Sequence, residues 1–214
     1  MQRVHRSSAK RASMFATGQS IRLNLGSGFR RKQGAEWINV DLTDTADLQL
    51  DLREPFPFPD DSVAEIYTEH FLEHLHYPNQ DDSTSWQVEA PDRPSEVLSF
   101  LRECYRVLTP SGLLDVVVPD AEGILNEYCA RHEAPFPAHE WWGPAWCDTA
   151  MHCVNYVFRQ GSEHKYAYDQ DTLRAVIASA GFESVGRRPF DPRKDADNHE
   201  IGSLCMVAYK RPSD

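Results

Sequence analysis

The stretch from Ile21 to Asp41 constrains the fold of this chain most, because two short apolar runs flank a glycine-rich turn. The first run, IRLNL, ends directly before Gly26-Ser27-Gly28, and the second, WINVD, ends on Asp41. Glycine adopts positive φ without strain and has no Cβ to keep a ligand at a distance. The pattern predicts a strand, a tight turn and a neighbouring strand whose tip carries one carboxylate.

A carboxylate at such a strand tip can accept both hydroxyls of a ribose, which suggests a nucleoside-containing cofactor. An ordinary structural turn is the alternative. Two departures from the fingerprint G-x-G-x-x-G bear on the choice of cofactor. Arg31 replaces the third glycine, and Asp41 follows Gly28 by 13 positions, whereas dinucleotide sites have a spacing of about 20. An adenosyl group with a charged amino-acid tail and no phosphate therefore fits better than a pyrophosphate.

Length and charge limit the classes of protein to consider. The 214 residues suffice for one well-packed domain and are few for two. No apolar run approaches the roughly 20 residues that cross a bilayer, so membrane insertion is not expected. The net charge is -11, and residues 1–19 hold four basic groups and no acidic one. The acidic remainder disfavours nucleic acid as a partner.

The basic residues 1–19 are interpreted as a disordered leader, with an organelle transit peptide as the alternative. Residues 20–214 then form a single domain. The five cysteines contain no C-x-x-C pair. Their odd number and irregular spacing indicate reduced thiols and a cytoplasmic protein.

Strand-like runs alternate with helical ones, which predicts a doubly wound α/β fold with a mainly parallel sheet covered by helices on both faces. One helix is expected near Ser95 to Leu108, and another begins after the N-cap Asp169 and ends before Gly181. The predicted strands are Ile21–Leu25, Trp37–Asp41, Leu48–Leu52, Ala64–Glu69, Leu113–Val118, Glu183–Arg188 and Ser203–Lys210.

Two segments differ from this alternation. The polar, proline-containing residues 77–94 predict a loop that could act as a lid over a substrate. Residues 134–161 are rich in aromatic side chains and form either a satellite core or the cover of a substrate pocket. Four histidines lie in or near this segment, but their irregular spacing never forms H-E-x-x-H, so no metal site is expected. They are His132, His139, His152 and His164.

Five segments resemble, in order and spacing, the class I S-adenosylmethionine-dependent methyltransferases of the branch called type 11. They are LNLGSG, INVD, DLREPFPFPDDSVAEIYTEHFLEHL, FLRECYRVLTPSGLLDVVVPD and HKYAYDQDTLRAVIASAGFESV. The resemblance covers about Ile21 to Lys210. It implies a Rossmann-like seven-stranded sheet with an antiparallel last strand, S-adenosylmethionine as cofactor, and methyl transfer to a small hydroxyl- or amine-bearing acceptor.

The same resemblance implies a role for each matching residue. The turn Gly26-Ser27-Gly28 would lie against the methionine part of the cofactor, and Asp41 would hold the ribose hydroxyls. Asp51 and Leu52 would border the adenine, while Glu69 and His70 would lie beside the transferable methyl group. The expected cofactor-binding residues are therefore Asn24, Leu25, Gly26, Ser27, Gly28, Asp41, Asp51, Leu52, Glu69 and His70.

The implied methyl transfer requires few catalytic groups from the protein. Methyl transfer from a sulfonium is an in-line displacement, so the protein mainly aligns the acceptor and excludes water. Removing a proton from a hydroxyl acceptor helps, and histidine suits that task near neutral pH. His70 is the leading candidate for this base. Asp120 is the second candidate, although it also suits a cap on the following turn.

The chain departs from the family pattern in two ways. Asn24 stands where the family usually has an acidic residue, and the short connection from Gly28 to the second strand predicts an abbreviated first helix. These departures leave two alternative functions open. One is a non-catalytic module that binds S-adenosylmethionine or another nucleoside, and the other is an NAD-dependent oxidoreductase.

Overall fold

The computed structural model describes residues 20–77, 95–132 and 143–213. Three of the sequence predictions fall wholly or partly outside these ranges. The leader 1–19, the loop over residues 78–94 and residues 134–142 of the aromatic segment lie outside the described residues. The five cysteines are all within them and form no disulfide.

Seven strands form one sheet in the order β3-β2-β1-β4-β5-β7-β6. Strands β1 to β5 pair in parallel, and β7 is antiparallel to both β5 and β6. This topology confirms the mainly parallel sheet with an antiparallel last strand. The strands are β1 (Ile21–Leu25), β2 (Trp37–Asp41), β3 (Leu48–Gln49), β4 (Val63–Glu69), β5 (Leu108–Pro119), β6 (Glu183–Arg187) and β7 (Ser203–Tyr209).

Two strands differ from their predicted bounds by more than one residue. Strand β3 stops at Gln49 because it is an edge strand that pairs with β2 at only two positions. Strand β5 begins at Leu108, five residues before the predicted start. The turn-like residues between are drawn into the strand by the end of β7, since Ser111 N donates to Lys210 O and Lys210 N donates to Gly112 O.

Four α-helices lie in the described ranges, and each begins with a side-chain cap. The helices are α1 (Glu96–Val107), α2 (Ala121–Ala130), α3 (Ala150–Arg159) and α4 (Gln170–Ser179). Helices α1 and α4 match the predictions, and Asp169 caps α4 by accepting a hydrogen bond from Thr172 N. Two 3-10 helices, Leu72–His74 and Asp197–His199, complete the described elements. No described helix has the length and apolar character that a membrane crossing requires.

The two faces of the sheet are covered differently. On one face the buried side chains of Leu23, Ile66 and Leu114 form a single apolar core with Leu101 of α1 and Leu173 of α4. Side chains alternate between faces along a strand, so the neighbours of these residues point the other way. The helix-covered face is thus the main hydrophobic core of the domain.

The opposite face carries polar side chains, including Asn24, Tyr67 and Asp115, all at most 2% exposed. In the described ranges it is covered by two loops, 29–36 and 188–202, which hydrogen-bond to these side chains. The buried polar residues of these strands are satisfied by direct hydrogen bonds to loop backbone and loop side chains.

Candidate functional site

The glycine turn is fixed at the carboxyl end of β1 by β2. Gly26 N and Ser27 N both donate to Val40 O, at 2.9 and 3.2 Å. Asp41 Oδ2 accepts a hydrogen bond from Gly28 N at 2.8 Å, and Oδ1 accepts one from Thr43 N at 2.9 Å. Each carboxylate oxygen keeps a second lone pair for a ligand hydroxyl. The carboxylate is therefore oriented beside the turn.

Gly26 satisfies two demands at once. Its φ is 68°, a conformation that costs other residues about 1–2 kcal/mol. A Cβ at this position would also lie 2.6 Å from the ring of Phe71. The turn can therefore approach the residues after β4 only because position 26 has no side chain.

The abbreviated first helix predicted after this turn is not formed, and residues 29–36 contain turns, a bend and no helix. Asn24 supplies the physical reason. Its Nδ2 donates to Arg30 O and to Asn39 Oδ1, both at 2.9 Å. Asn39 Oδ1 in turn accepts from Lys32 N at 2.7 Å. Two side-chain amides thus hold the loop across β1 and β2.

Replacing Asn24 with aspartate is expected to destabilise the fold by about 1–3 kcal/mol. The carboxylate cannot donate a hydrogen bond, and it would face two oxygen acceptors at a site only 2% exposed. Chemical denaturation measures the change. Asn155→Asp is the matched control, since its amide donates to Met151 O on an exposed helix face. Equal stability of the two variants would contradict the structural role of Asn24.

A cavity of about 490 Å³ opens between the glycine turn, the end of β4 and the segment before β7. It brings together residues that are far apart in the sequence. Six of the predicted site residues line it: Asn24, Gly26, Ser27, Gly28, Glu69 and His70.

The other predicted residues lie elsewhere. Leu25 and Leu52 are core side chains, 0% and 3% exposed. Asp51 forms an ion pair with Arg53 at 2.6 Å, which lowers the pKa of its carboxyl. Asp41 does not line the cavity, but it accepts a hydrogen bond from Gly28, which does.

Asp120 acts as a cap. Its side chain accepts a hydrogen bond from Gly123 N at 3.0 Å and begins helix α2. It also lies 3.5 Å from Arg187. The cavity is lined by the preceding residue, Pro119, and not by Asp120. The geometry therefore favours the capping interpretation over the general-base interpretation.

His70 lies at the tip of β4 in a strained conformation. Its φ is 50°, and such left-handed non-glycine residues concentrate at functional sites. The ring stacks on His199 at a centroid distance of 3.7 Å, and Nε2 lies 3.0 Å from Ser203 Oγ. Burial, and then the positive charge of His199 and Arg30, lowers the pKa of His70 well below its ordinary value. The ring is therefore neutral at pH 7 and has a lone pair for a proton.

Glu69 is linked to the segment before β7. Its Oε1 accepts a hydrogen bond from Ala196 N at 3.0 Å and lies 2.9 Å from His199 Nδ1. Burial raises the pKa of this carboxyl, but the bonds from His199 and Ala196 and the charge of Arg30 outweigh that effect, so the pKa is lowered. Glu69 is thus a carboxylate at the wall of the cavity.

His199 is a cavity residue that the sequence analysis missed. It lies in the loop between β6 and β7, in no recognisable motif. The strand topology is the signal that could have pointed to His199. Because β7 is antiparallel, the loop that precedes it returns to the carboxyl edge of the parallel strands, where α/β folds bind ligands.

The loop that carries His199 is anchored by buried charges. Arg188 lies 2.7 Å from Asp115 and 2.6 Å from Asp195, and both carboxylates are inaccessible to solvent. Tyr67 Oη donates to Asp195 Oδ1 at 3.0 Å. Lys32 Nζ lies 3.7 Å above the Tyr67 ring. This network connects the loops 29–36 and 188–202 to β4 and β5.

The described part of the aromatic segment has its own apolar cluster. Cys147, Cys153 and Val157 pack against Ile124 of α2. Val157 and Tyr156 also line the cavity. Residues 143–161 thus combine the two alternatives considered from the sequence, a satellite core and a wall of the cavity.

The chain is similar in structure to proteins of one recurring fold. A SAM dependent methyltransferase from Archaeoglobus fulgidus has a TM-score of 0.50 and 15% identity, over 98% of this chain and 95% of that one. A possible exported protein from Bordetella parapertussis has a TM-score of 0.50 and 12% identity, over 98% of this chain and 68% of that one. No protein-family model and no curated protein matches the sequence. The likeness establishes a Rossmann-like fold of the class I methyltransferase type.

Proposed function

We propose that this chain binds S-adenosylmethionine and transfers its methyl group to a hydroxyl or amine group of a small molecule. The observation that carries the proposal is the 2.8 Å hydrogen bond from Gly28 N to Asp41 Oδ2, which orients this carboxylate beside a turn that lines the same cavity as Glu69 and His70. A ribose-binding carboxylate, a turn without side chains and a candidate base thus share one edge of the sheet. The type 11-like order of the five sequence segments supports the same function.

Different residues of the site would contact different parts of the cofactor. The turn Gly26–Gly28 would lie against the methionine part of the cofactor, and Asp41 would accept hydrogen bonds from the ribose hydroxyls. Glu69 would offer a carboxylate to the cationic end of the ligand. When bound, the sulfonium supplies an activated methyl group, so the protein has to position the acceptor and exclude water.

His70 would serve as the base for the acceptor. Its Nε2 lies 3.0 Å from Ser203 Oγ, and both side chains line the cavity. The neutral ring can accept a proton from a hydroxyl directly or through the serine hydroxyl. Since four histidines line the cavity, a small polar acceptor fits this wall better than a long apolar one.

The NAD alternative loses its structural basis. A pyrophosphate is usually bound at the N-terminus of the helix after the glycine turn, and here residues 29–36 contain no helix. The non-catalytic module still differs from the enzyme only in turnover. It predicts binding of the cofactor without release of product.

Calorimetry with S-adenosylhomocysteine tests the proposal first, and we expect binding at micromolar concentrations and none with NAD. A panel of phenols, catechols and primary amines is then incubated with S-adenosylmethionine and the protein, with release of S-adenosylhomocysteine as the readout. Turnover with any of them supports the enzyme, and binding without turnover supports the module. Absence of binding at high micromolar S-adenosylhomocysteine would rule out both.

A further inference from the structure

Three potential metal ligands meet on the cavity wall beside His70. Glu73 and His74 belong to the 3-10 helix after β4, and His164 lies in the connection between α3 and α4. One ligand atom from each lies within 4.8 Å of the other two. All three residues line the cavity. Histidine spacings along the chain predict no metal site, because this cluster joins residues some ninety positions apart.

Glu73 gives an independent sign of a missing partner. Its side chain is only 1% exposed, and neither carboxylate oxygen has a hydrogen-bond partner. A buried carboxyl group without a partner is costly, and buried charges are usually paired or bound to a metal. The Nδ1 atom of His70 lies 3.7 Å from Glu73 Oε1, beyond hydrogen-bond distance. The group is thus free to bind a cation.

The two histidines are held in the orientation that metal ligands require. His164 Nδ1 lies 2.7 Å from Val157 O, and His74 Nδ1 lies 3.3 Å from Glu163 O. A carbonyl oxygen can only accept, so Nδ1 carries the proton in each ring and Nε2 keeps its lone pair. Metal-binding histidines commonly donate their second ring nitrogen to a backbone carbonyl in this way.

We propose that Glu73, His74 and His164 bind a divalent transition-metal ion of the zinc class. Two imidazoles and one carboxylate form a donor set that such ions favour, with ligand distances of about 2.0–2.2 Å. Tetrahedral ligand atoms at that distance from the ion lie about 3.4 Å from one another. In the structure the three ligand atoms lie within 4.8 Å of one another, so side-chain rotations that move them by roughly an ångström would complete the site. The fourth position faces the cavity and would take a water molecule or an oxygen of a bound acceptor.

The site is tested by metal binding alone, so its outcome is independent of methyl transfer. Chelator-treated full-length protein is titrated with Co²⁺ while the visible absorption of the ion is followed, and with Zn²⁺ by calorimetry. We expect one equivalent to bind and the Co²⁺ spectrum to show four- or five-coordination with nitrogen and oxygen ligands. Glu73→Gln and His164→Ala are each expected to weaken binding at least about 100-fold, since even outer-shell changes cost 10–100-fold.

His152→Ala is the matched control, because His152 is an exposed histidine that pairs with Asp148. Its metal affinity should equal that of the native protein. Glu73→Gln keeps the volume of the buried side chain and removes its ionisable group, so the variant should fold, as a thermal melt would verify. Absence of binding at high micromolar Co²⁺, or equal binding by the native protein and both cluster variants, would overturn the proposal.

Discussion

Replacing Arg188 with methionine is expected to lower the free energy of unfolding by about 3–5 kcal/mol. The guanidinium is 11% exposed and lies between two carboxylates, Asp115 and Asp195, that are inaccessible to solvent. Methionine retains much of the apolar volume but leaves these acids with fewer partners. Lys194 still contacts Asp115, whereas Asp195 keeps mainly Tyr67 and the backbone of Asp191.

Urea denaturation of the two proteins measures this loss, and Arg193→Met is the control. Arg193 forms an ion pair with Asp191 at 2.9 Å, but its side chain is 88% exposed, and exposed pairs contribute little to stability. We therefore expect no measurable change in the control. A small effect of Arg188→Met would show that the loop 188–202 is anchored by other contacts. In that case the position of His199 would need a different explanation.

The sequence predicted those parts of the fold that depend on local patterns. Strands β1 and β2 match their predicted bounds, because each is an apolar run ended by a turn or a polar tip. Helices α1 and α4 match because a cap precedes a periodic apolar face in each. Helices α2 and α3 were missed. Helix α3 mixes aromatic, histidine and cysteine residues, and the buried faces of the two helices pack on each other.

The residues of the candidate site also differ in whether a local sequence pattern predicts them. Asp41, Glu69 and His70 could be predicted because they end strands, and the ends of parallel strands meet at one edge of a sheet. His199 and His164 could not, since their places depend on how long connections return to that edge. Loop 29–36 shows a third case. The missing acid at position 24 left a non-catalytic module open as an alternative, whereas Asn24 is engaged in holding the loop.

Replacing Asp41 with alanine is expected to lower the affinity for S-adenosylhomocysteine about 100-fold. Hydrogen bonds to a charged group contribute about 1.5–3 kcal/mol each, and the two ribose hydroxyls would both use this carboxylate. A 100-fold change corresponds to ~2.7 kcal/mol. Calorimetry on both proteins measures it. Asp44→Ala is the control, because Asp44 is an exposed residue of the following loop and should bind the ligand as the native protein does.

Asp41 also holds the turn, so a second variant separates orientation from direct contact. Asp41→Asn retains one side-chain oxygen, which can still accept from Gly28 N or Thr43 N, but it loses the charge and one acceptor. If the carboxylate contacts the ribose, the asparagine variant should lose about tenfold in affinity while its melting temperature stays near the native value. Native affinity in both variants would place the nucleoside elsewhere. The cavity beside the glycine turn would then serve a different ligand.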